Sequence, residues 1–394
     1  MSYSVYERKE DCCGCTACMN ICPKGAITMQ ADEEGFLYPE IDGKRCIECG
    51  LCKKICAFQK EELSLEEMPQ VYAVKASDEI RRQSSSGGCF TAFSDVILQK
   101  GGAVYGCAFD EKLKAEHIRA ENERERDRCR GSKYSQSDLG TIFSSVKEDL
   151  KAGREVLFTG TTCQTAALRE VLSEQEQKNL YTVDIICHGT PSPRLFADFI
   201  EYIEQKRNKK VKAYYHRPKD LGWRGGEKLI YADGKKESRT TLVDGWRNIF
   251  YGDLALRPSC YQCRYSNPCR PSDITIADFW GIEGYAPEFS DALGVSLALV
   301  SSEKGRRLFE ACRSSLQIIE RTMEEAVVKN PNLKVPTARP AARTQFWALY
   351  KEGGFPAIMR LYGKDTLKQK IKYAIKAIMR KCGLFALAKK ILKK

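Results

Sequence analysis

Two copies of one spacing, C-x2-C-x2-C-x3-C, fall within the first 56 residues: Cys12, Cys15, Cys18 and Cys22, then Cys46, Cys49, Cys52 and Cys56. Thiolates in this run are the ligand pattern of paired 4Fe-4S cubanes, whose chemistry is one-electron transfer. Three thiolates two residues apart wrap one face of a cubane, while the fourth lies too far along to close the same cluster and serves the other. Cys12, Cys15, Cys18 and Cys56 are therefore assigned to one cluster and Cys46, Cys49, Cys52 and Cys22 to its neighbour, with Cys13 left over. Structural zinc is the competing chemistry, but zinc modules place two ligand pairs farther apart, and the crossed order here satisfies all eight ligands of two cubanes. Pro23 follows the first run; Ala57 stands where a second proline would complete the pattern.

A second group of residues reads as anion cradles. Arg81-Arg82-Gln83-Ser84-Ser85-Ser86-Gly87-Gly88 leads into an apolar helix. Hydroxyls and glycines at a helix start leave backbone N–H groups free, so a cofactor phosphate fits there. Arg130-Gly131-Ser132-Lys133-Tyr134 and the strand-turn-helix from Val156 through Thr161 and Cys163 to Gln164 repeat the theme. An ordinary Ser N-cap or a flexible turn explains any one of them about as well. The chain has no GxGxxG and no P-loop signature, which leaves a standard dinucleotide fold unsupported.

Cys260 and Cys263, with Cys269 six residues on, form a metal-ligand pattern with too few ligands to close a cubane. Cys163 at a strand-to-helix turn and Cys187 at a strand end stand where an α/β sheet presents functional groups. They either complete a third cluster or are small buried hydrophobes, as Cys89, Cys107, Cys129, Cys312 and Cys382 are read to be. His188, within Cys187-His188-Gly189-Thr190-Pro191, relays protons or caps backbone, with the structural role preferred. His117 and His216 have no visible carboxylate partner. Hydrolytic signatures are absent, and no catalytic residue is named.

These groups need elements to carry them. Residues 25–41 read as a hairpin turning at Asp32-Glu33-Glu34-Gly35, and residues 59–70 as a charged linker. Strands at 71–75, 103–109, 156–158 and 181–186 then alternate with helices at 89–99 and 164–172, which argues for an α/β domain closed by a helix at 193–205. Shorter strands and aromatic loops around Trp223 and Trp246 occupy residues 211–300.

At 394 residues the chain holds two or three domains, so something besides the paired clusters uses the electrons. Nineteen cysteines without an apolar signal region point to a reducing cytoplasm, and no apolar run approaches the roughly 18 residues of a membrane span. The net charge of +12 is concentrated: Lys364 to Lys394 carries eleven Lys or Arg and one Asp, which leaves a nearly neutral body and no nucleic-acid footprint. Apolar residues at helical spacing in this tail, such as Leu367, Ile371, Ile375 and Ile378, make it a basic amphipathic segment. It lies on the inner membrane face, docks on a partner, or packs on its own domain.

The blocks Ser84-Ser85-Ser86-Gly87-Gly88, Arg130 to Tyr134, Thr159-Gly160-Thr161-Thr162-Cys163-Gln164, Cys187-His188-Gly189, Arg217-x-Lys219-x2-Gly222-Trp223, and Arg257 through Cys260 and Cys263 to Gly281 resemble the coenzyme F-420 hydrogenase/dehydrogenase beta-subunit family. The first 56 residues resemble a dicluster ferredoxin. The resemblance implies an iron-sulfur flavoprotein in which Cys163, Cys187, Cys260 and Cys263 bind a third cluster near FAD. It further implies that Ser85, Ser86, Gly87, Gly88, Gly131, Ser132, Lys133, Tyr134, Thr161 and Gln164 hold the FAD. Thr162 stands where the family usually has proline, and Cys269 is an extra potential ligand.

The expected fold is α+β: a ferredoxin-type module at 1–60, an α/β FAD-binding domain at 71–210, a smaller subdomain with the third cluster at 211–330, and a basic helical tail at 339–394. The expected function is an electron relay from an external donor through 4Fe-4S clusters to FAD, then a hydride to a small-molecule acceptor. The alternative is a non-catalytic electron-transfer subunit. The expected protein partner is a ferredoxin-like donor or acceptor, or a hydrogenase/dehydrogenase subunit.

Overall fold

The computed structural model describes residues 4–60 and 68–364. The N-terminal module is built on a hairpin of β1 (Ile27–Ala31) and β2 (Leu37–Ile41), paired antiparallel from Ile27 opposite Ile41 to Ala31 opposite Leu37. Asp32 closes the turn by accepting the backbone N–H groups of Glu34 and Phe36 on its Oδ1, while Gly35 takes φ +83°. Short helices at Ala17–Ile21 and Leu51–Lys54 flank the hairpin and carry Cys18 and Cys52.

The body is one eight-stranded mixed sheet. Its strands are β3 (Gln70–Lys75), β4 (Ala103–Phe109), β5 (Ala115–Ala120), β6 (Val156–Thr161) and β7 (Leu180–Ile185), followed after an insertion by three more. The insertion is an antiparallel sheet of β8 (Val211–His216), β9 (Glu227–Tyr231) and β10 (Lys236–Ser238). The chain then returns with β11 (Ile274–Asp278), β12 (Ser296–Val300) and β13 (Gln317–Arg321). The order is β13-β3-β12-β11-β7-β6-β4-β5, with β4, β6, β7 and β11 parallel and the outer pairings antiparallel. A single sheet thus draws strands from both sides of the expected boundary at residue 210.

The parallel centre explains why Val156-Leu157-Phe158 is uniformly apolar: it is covered on both faces. One face packs Phe93, Ile97 and Phe309 against Leu157 and Val183; the other packs Phe143, Val146 and Leu168 against Tyr105 and Phe158. Phe93, Phe143 and Phe158 are fully buried, each stabilising the fold by about 1.5–3 kcal/mol. Ala17 of the N-terminal module belongs to the second cluster, so the module docks on the sheet rather than trailing from it.

The helix Pro193–Arg207 starts where Ser192 Oγ accepts the Leu195 N–H and Pro193 occupies the first turn, and it stops at Asn208 with φ +51°. Its Phe196 and Phe199 pack on Trp246 and Tyr214 of the insertion. Of the expected tail, the structure describes the helix Arg343–Leu361, kinked at Gly354 ahead of Pro356, while residues 365–394 with Cys382 lie outside the described residues. Among the described residues no helix is long and apolar enough to cross a membrane.

Candidate redox centre

The cysteines converge on three small cavities. Cys12, Cys15, Cys18 and Cys56 line the first, together with Cys13 and Cys52. Cys22, Cys46, Cys49 and Cys52 line the second. The crossed quartets expected from the spacing therefore meet, because the loops after each helix hand their last cysteine to the opposite site. N–H groups already aim at sulfur: Ala26 N lies 3.3 Å from Cys22 Sγ, Glu48 N 3.4 Å from Cys46 Sγ, and Gln59 Nε2 3.4 Å from Cys56 Sγ. Burial pushes the Cys18 thiol up and the Cys56 thiol to about 11, so the thiolates a cluster needs are favoured only when metal charge compensates them. The donor set and its N–H donors fit cubanes.

Cys163, Cys187, Cys260 and Cys263 line the third cavity. Cys163 sits in the first turn of the helix Thr162–Val171, after β6; Cys187 follows β7; Cys260 and Cys263 lie at the turn Pro258–Gln262. Gly189 at φ +130° permits the close approach, since a Cβ there would stand 2.7 Å from Leu256 Cδ1. Cys269 is not on this wall; Cys13 is. The neighbouring Cys15 and Cys163 thiols, with burial, hold the Cys13 thiol up, while Cys13 in turn draws the Cys163 thiol down. The residue left over by the spacing rule thus lies between the first and third quartets.

Beyond the carboxyl ends of the parallel strands opens a cavity of about 470 Å³, within the range of cofactor sites. Its walls include Ser85, Ser86, Gly88, Gly131, Ser132, Lys133, Tyr134, Thr161 and Gln164. Gly87 is absent from the wall: it packs beneath, its N–H donating to Ser296 Oγ at 2.8 Å. Ser132 N and Oγ lie 3.0 and 3.1 Å from Ser85 Oγ, which ties the two cradle loops together. The Lys133 ammonium turns back onto the carbonyls of Arg128, Arg130 and Gly131, so it staples its own loop. Tyr134 stacks on Phe250 with centroids 4.4 Å apart.

The free N-terminus of the helix Cys89–Gln99 reaches this wall through Gly88, at φ +94°. His117 Nε2 donates to the Thr159 carbonyl, and burial lowers the ring's pKa to about 4, which keeps it neutral. Its Nδ1 has no partner among the described residues. The volume and the helix terminus fit a phosphate-bearing cofactor such as FAD, and the orphaned Nδ1 would accept from a hydroxyl or N–H of it, not from a phosphate.

Sequence reasoning missed several groups here. Cys107 and Cys129 line the large cavity and are only partly buried; Cys89 is buried as expected but lines that cavity too, and Cys312 is buried as expected. Two of the three histidines have carboxylate neighbours that the sequence did not show: His216 Nδ1 lies 2.7 Å from Glu227 Oε2, and His188 Nε2 2.6 Å from Asp253 Oδ1. Arg217 and Trp223 both donate to Asp278, at 2.6 Å each, which brings those two blocks together. Thr161, Cys187, His188, Gly189 and Thr190 line both the third cysteine cavity and the large cavity, so the two share a wall.

Such a site, with cysteine quartets beside a cofactor-sized cavity on a mixed sheet, defines an iron-sulfur redox protein. Residues 153–326 match the family described as the C terminus of the coenzyme F420 hydrogenase/dehydrogenase beta subunit, and residues 11–60 match the 4Fe-4S dicluster domain. One of the subunits of the F(420)H(2) dehydrogenase of Methanosarcina mazei is 22% identical over 324 residues, covering 78% of this chain and 84% of that protein. An uncharacterized ferredoxin of Methanocaldococcus jannaschii is 34% identical over 56 residues, 14% of this chain and 71% of the ferredoxin. A chain of the F420-reducing nickel-iron hydrogenase complex from Methanosarcina barkeri is similar at 16% identity with a TM-score of 0.47, covering 75% of this chain and 97% of that one. Residues 153–326 thus carry the C-terminal region described for the coenzyme F420 hydrogenase/dehydrogenase beta subunit, and residues 11–60 a 4Fe-4S dicluster domain.

Proposed function

We propose that this chain is an electron-relaying flavoprotein within an oxidoreductase complex, passing single electrons between a partner protein and FAD, and a hydride between FAD and a small-molecule acceptor. The observation that carries the reading is the wall shared by the third cysteine cavity and the large cavity. Clusters exchange single electrons, and a flavin supplies the conversion to the electron pairs that organic acceptors take.

The residues divide the work. Cys12, Cys15, Cys18 and Cys56 hold one cluster, Cys22, Cys46, Cys49 and Cys52 a second, and Cys163, Cys187, Cys260 and Cys263 the third. Ser85, Ser86 and the helix terminus at Gly88 bind the phosphates of FAD. Gly131, Ser132, Thr161 and Gln164 line its berth, and His188 with Asp253 holds a proton at the wall between cluster and flavin. The tail beyond residue 364 supplies a basic contact for the partner or a membrane surface. The module at 1–60 acts as the donor port, while residues 71–210 and 211–330, joined in one sheet, together wall both the flavin site and the third-cluster site.

Anaerobic purification followed by iron, sulfide and flavin quantitation tests this, with Cys163→Ser beside the wild type. About twelve irons and one FAD are expected, falling to about eight irons in the variant, at four irons per cubane. About eight irons, no flavin and no change in the variant would leave only the dicluster domain and overturn the flavoprotein reading.

A further inference from the structure

Arg257 is a buried cation without a buried anion. It is 1% exposed, and its guanidinium reaches from the loop of Cys260 into the N-terminal module. Nε donates to the Cys12 carbonyl at 2.8 Å, Nη1 to Gln136 Oε1 at 3.1 Å, and Nη2 to the Leu37 carbonyl at 2.9 Å and to Cys12 Sγ at 3.6 Å. Its plane lies over Tyr38, 4.2 Å from the ring centroid. Gly14 makes room for it: at φ +70°, a Cβ on Gly14 would stand 2.7 Å from Arg257 Nη1. No Asp or Glu among the described residues pairs with Arg257, whereas Arg126, Arg270 and Arg343, equally deep, each have a carboxylate. Neutral acceptors and a ring face recover part of a buried charge's lost hydration, not all of it.

The missing anion has one place to be. Four thiolates outweigh the charge of an iron-sulfide core, so a ligated cluster is anionic and becomes more so on taking an electron. Net charge and hydrogen bonds to sulfur are two of the levers that set a cluster's potential. We infer that Arg257 is the counter-charge of the cluster at Cys12, Cys15, Cys18 and Cys56, and that it holds that cluster's reduction potential above that of the cluster at Cys22, Cys46, Cys49 and Cys52. This rests on the cluster reading above and adds a direction to it. The electron settles on the cluster beside Cys13, next to the third site, because the loop that carries Cys260 also brings the cation. One electron would pass to that cluster from the partner donor protein, which is oxidised by one electron, and no bond or proton would be exchanged.

The test is an anaerobic potentiometric titration of the full-length loaded protein with dithionite, followed by EPR, with iron counted on every sample. In Arg257→Gln one cluster should become at least tenfold harder to reduce, about 59 mV for one electron, with its neighbour unmoved. Arg257→Lys should fall less. Gln136→Glu, which leaves Arg257 in place and sets a carboxylate against Nη1, should lower the same cluster and serves if the Gln variant fails to load. Loaded variants with unmoved potentials, or a Lys variant falling as far as the Gln variant, would overturn the inference alone. A wild type without iron would overturn the cluster reading and this inference with it.

Discussion

Lys219 Nζ donates to the carbonyl oxygen of Ser85 at 3.1 Å, and to those of Ser86 at 3.2 Å and Leu293 at 2.6 Å, fixing the first cradle loop from behind. Burial lowers its pKa to about 8. The folded chain therefore loses this proton between about pH 8 and the ordinary lysine value, while the unfolded chain keeps it. The cost of burying the charge, present below pH 8, is relieved above it, so global stability does not fall on this account. What falls is the charge beneath the cradle. FAD retention is expected to weaken roughly fivefold as pH rises through about 8, about 1 kcal/mol for the loss of charge assistance. Lys219→Met should bind FAD about that much more weakly at pH 7 and show no step at pH 8. Flavin fluorescence in ultrafiltrates across the pH range measures it; an unchanged step in the variant would sink the idea.

Cys13 and Cys12 are adjacent in sequence and expected to behave oppositely. Cys13 lies between Cys15 and Cys163 but belongs to neither expected quartet, whereas Cys12 lines the first cavity and accepts from Arg257. Cys13→Ala should retain the full iron complement, and Cys12→Ser should lose about four irons, one cubane. Iron and sulfide assays on anaerobically purified protein decide between them. Loss of a cluster from Cys13→Ala would make Cys13 a ligand.

How much of this was readable beforehand depends on distance along the chain. The dicluster domain was legible because each cysteine run is a short contiguous stretch, and Cys89–Gln99 and Ala103–Phe109 were legible to the residue from local apolar pattern. The sheet beyond β7 was not: β3 pairs with β12 across more than two hundred intervening residues, and no local pattern announces such a partner. The partner of His216 carried a weak signal, since Glu227 faces it across the antiparallel β8 and β9. Asp253 for His188, and Cys13 between two quartets, depend on how separate segments dock, which spacing rules treat as surplus. Gly87 shared a motif with wall residues and went below the wall because Val74 and Ser296 crowd its Cα.

Docking of the N-terminal module should depend on Glu34. Its Oε1 accepts from Arg343 Nη1 at 2.8 Å, and Arg343, 4% exposed, also bonds the Leu256 carbonyl. Removing one partner of a buried pair strands the other charge, so Glu34→Ala is expected to cost about 3 kcal/mol. The neighbouring Glu33 pairs with Lys9 but its side chain is 77% exposed, and Glu33→Ala should cost under about 1 kcal/mol. Urea titrations followed by cluster absorbance compare the two; equal midpoints would refute the assignment of Glu34 to the docking interface.

His188 and Asp253 invite a different test, because their geometry is tied to the shared wall. Asp253 adopts φ +60°, a left-handed conformation that costs a non-glycine residue about 1–3 kcal/mol and persists where the surroundings enforce it. Here Tyr261 Oη donates to the Asp253 carbonyl and the side chain is held against His188 Nε2 at 2.6 Å. The carboxylate orients the ring, which places an imidazole on the wall shared by the third cysteine cavity and the large cavity. His188→Gln should slow reduction of a water-soluble quinone, which needs protons with its electrons, by about 100-fold, at the lower end of general acid–base contributions. Reduction of ferricyanide, which takes electrons directly from the clusters, should be unaffected. Asp253→Asn should reproduce the quinone defect in part. A purely structural role would slow both acceptors equally, or neither.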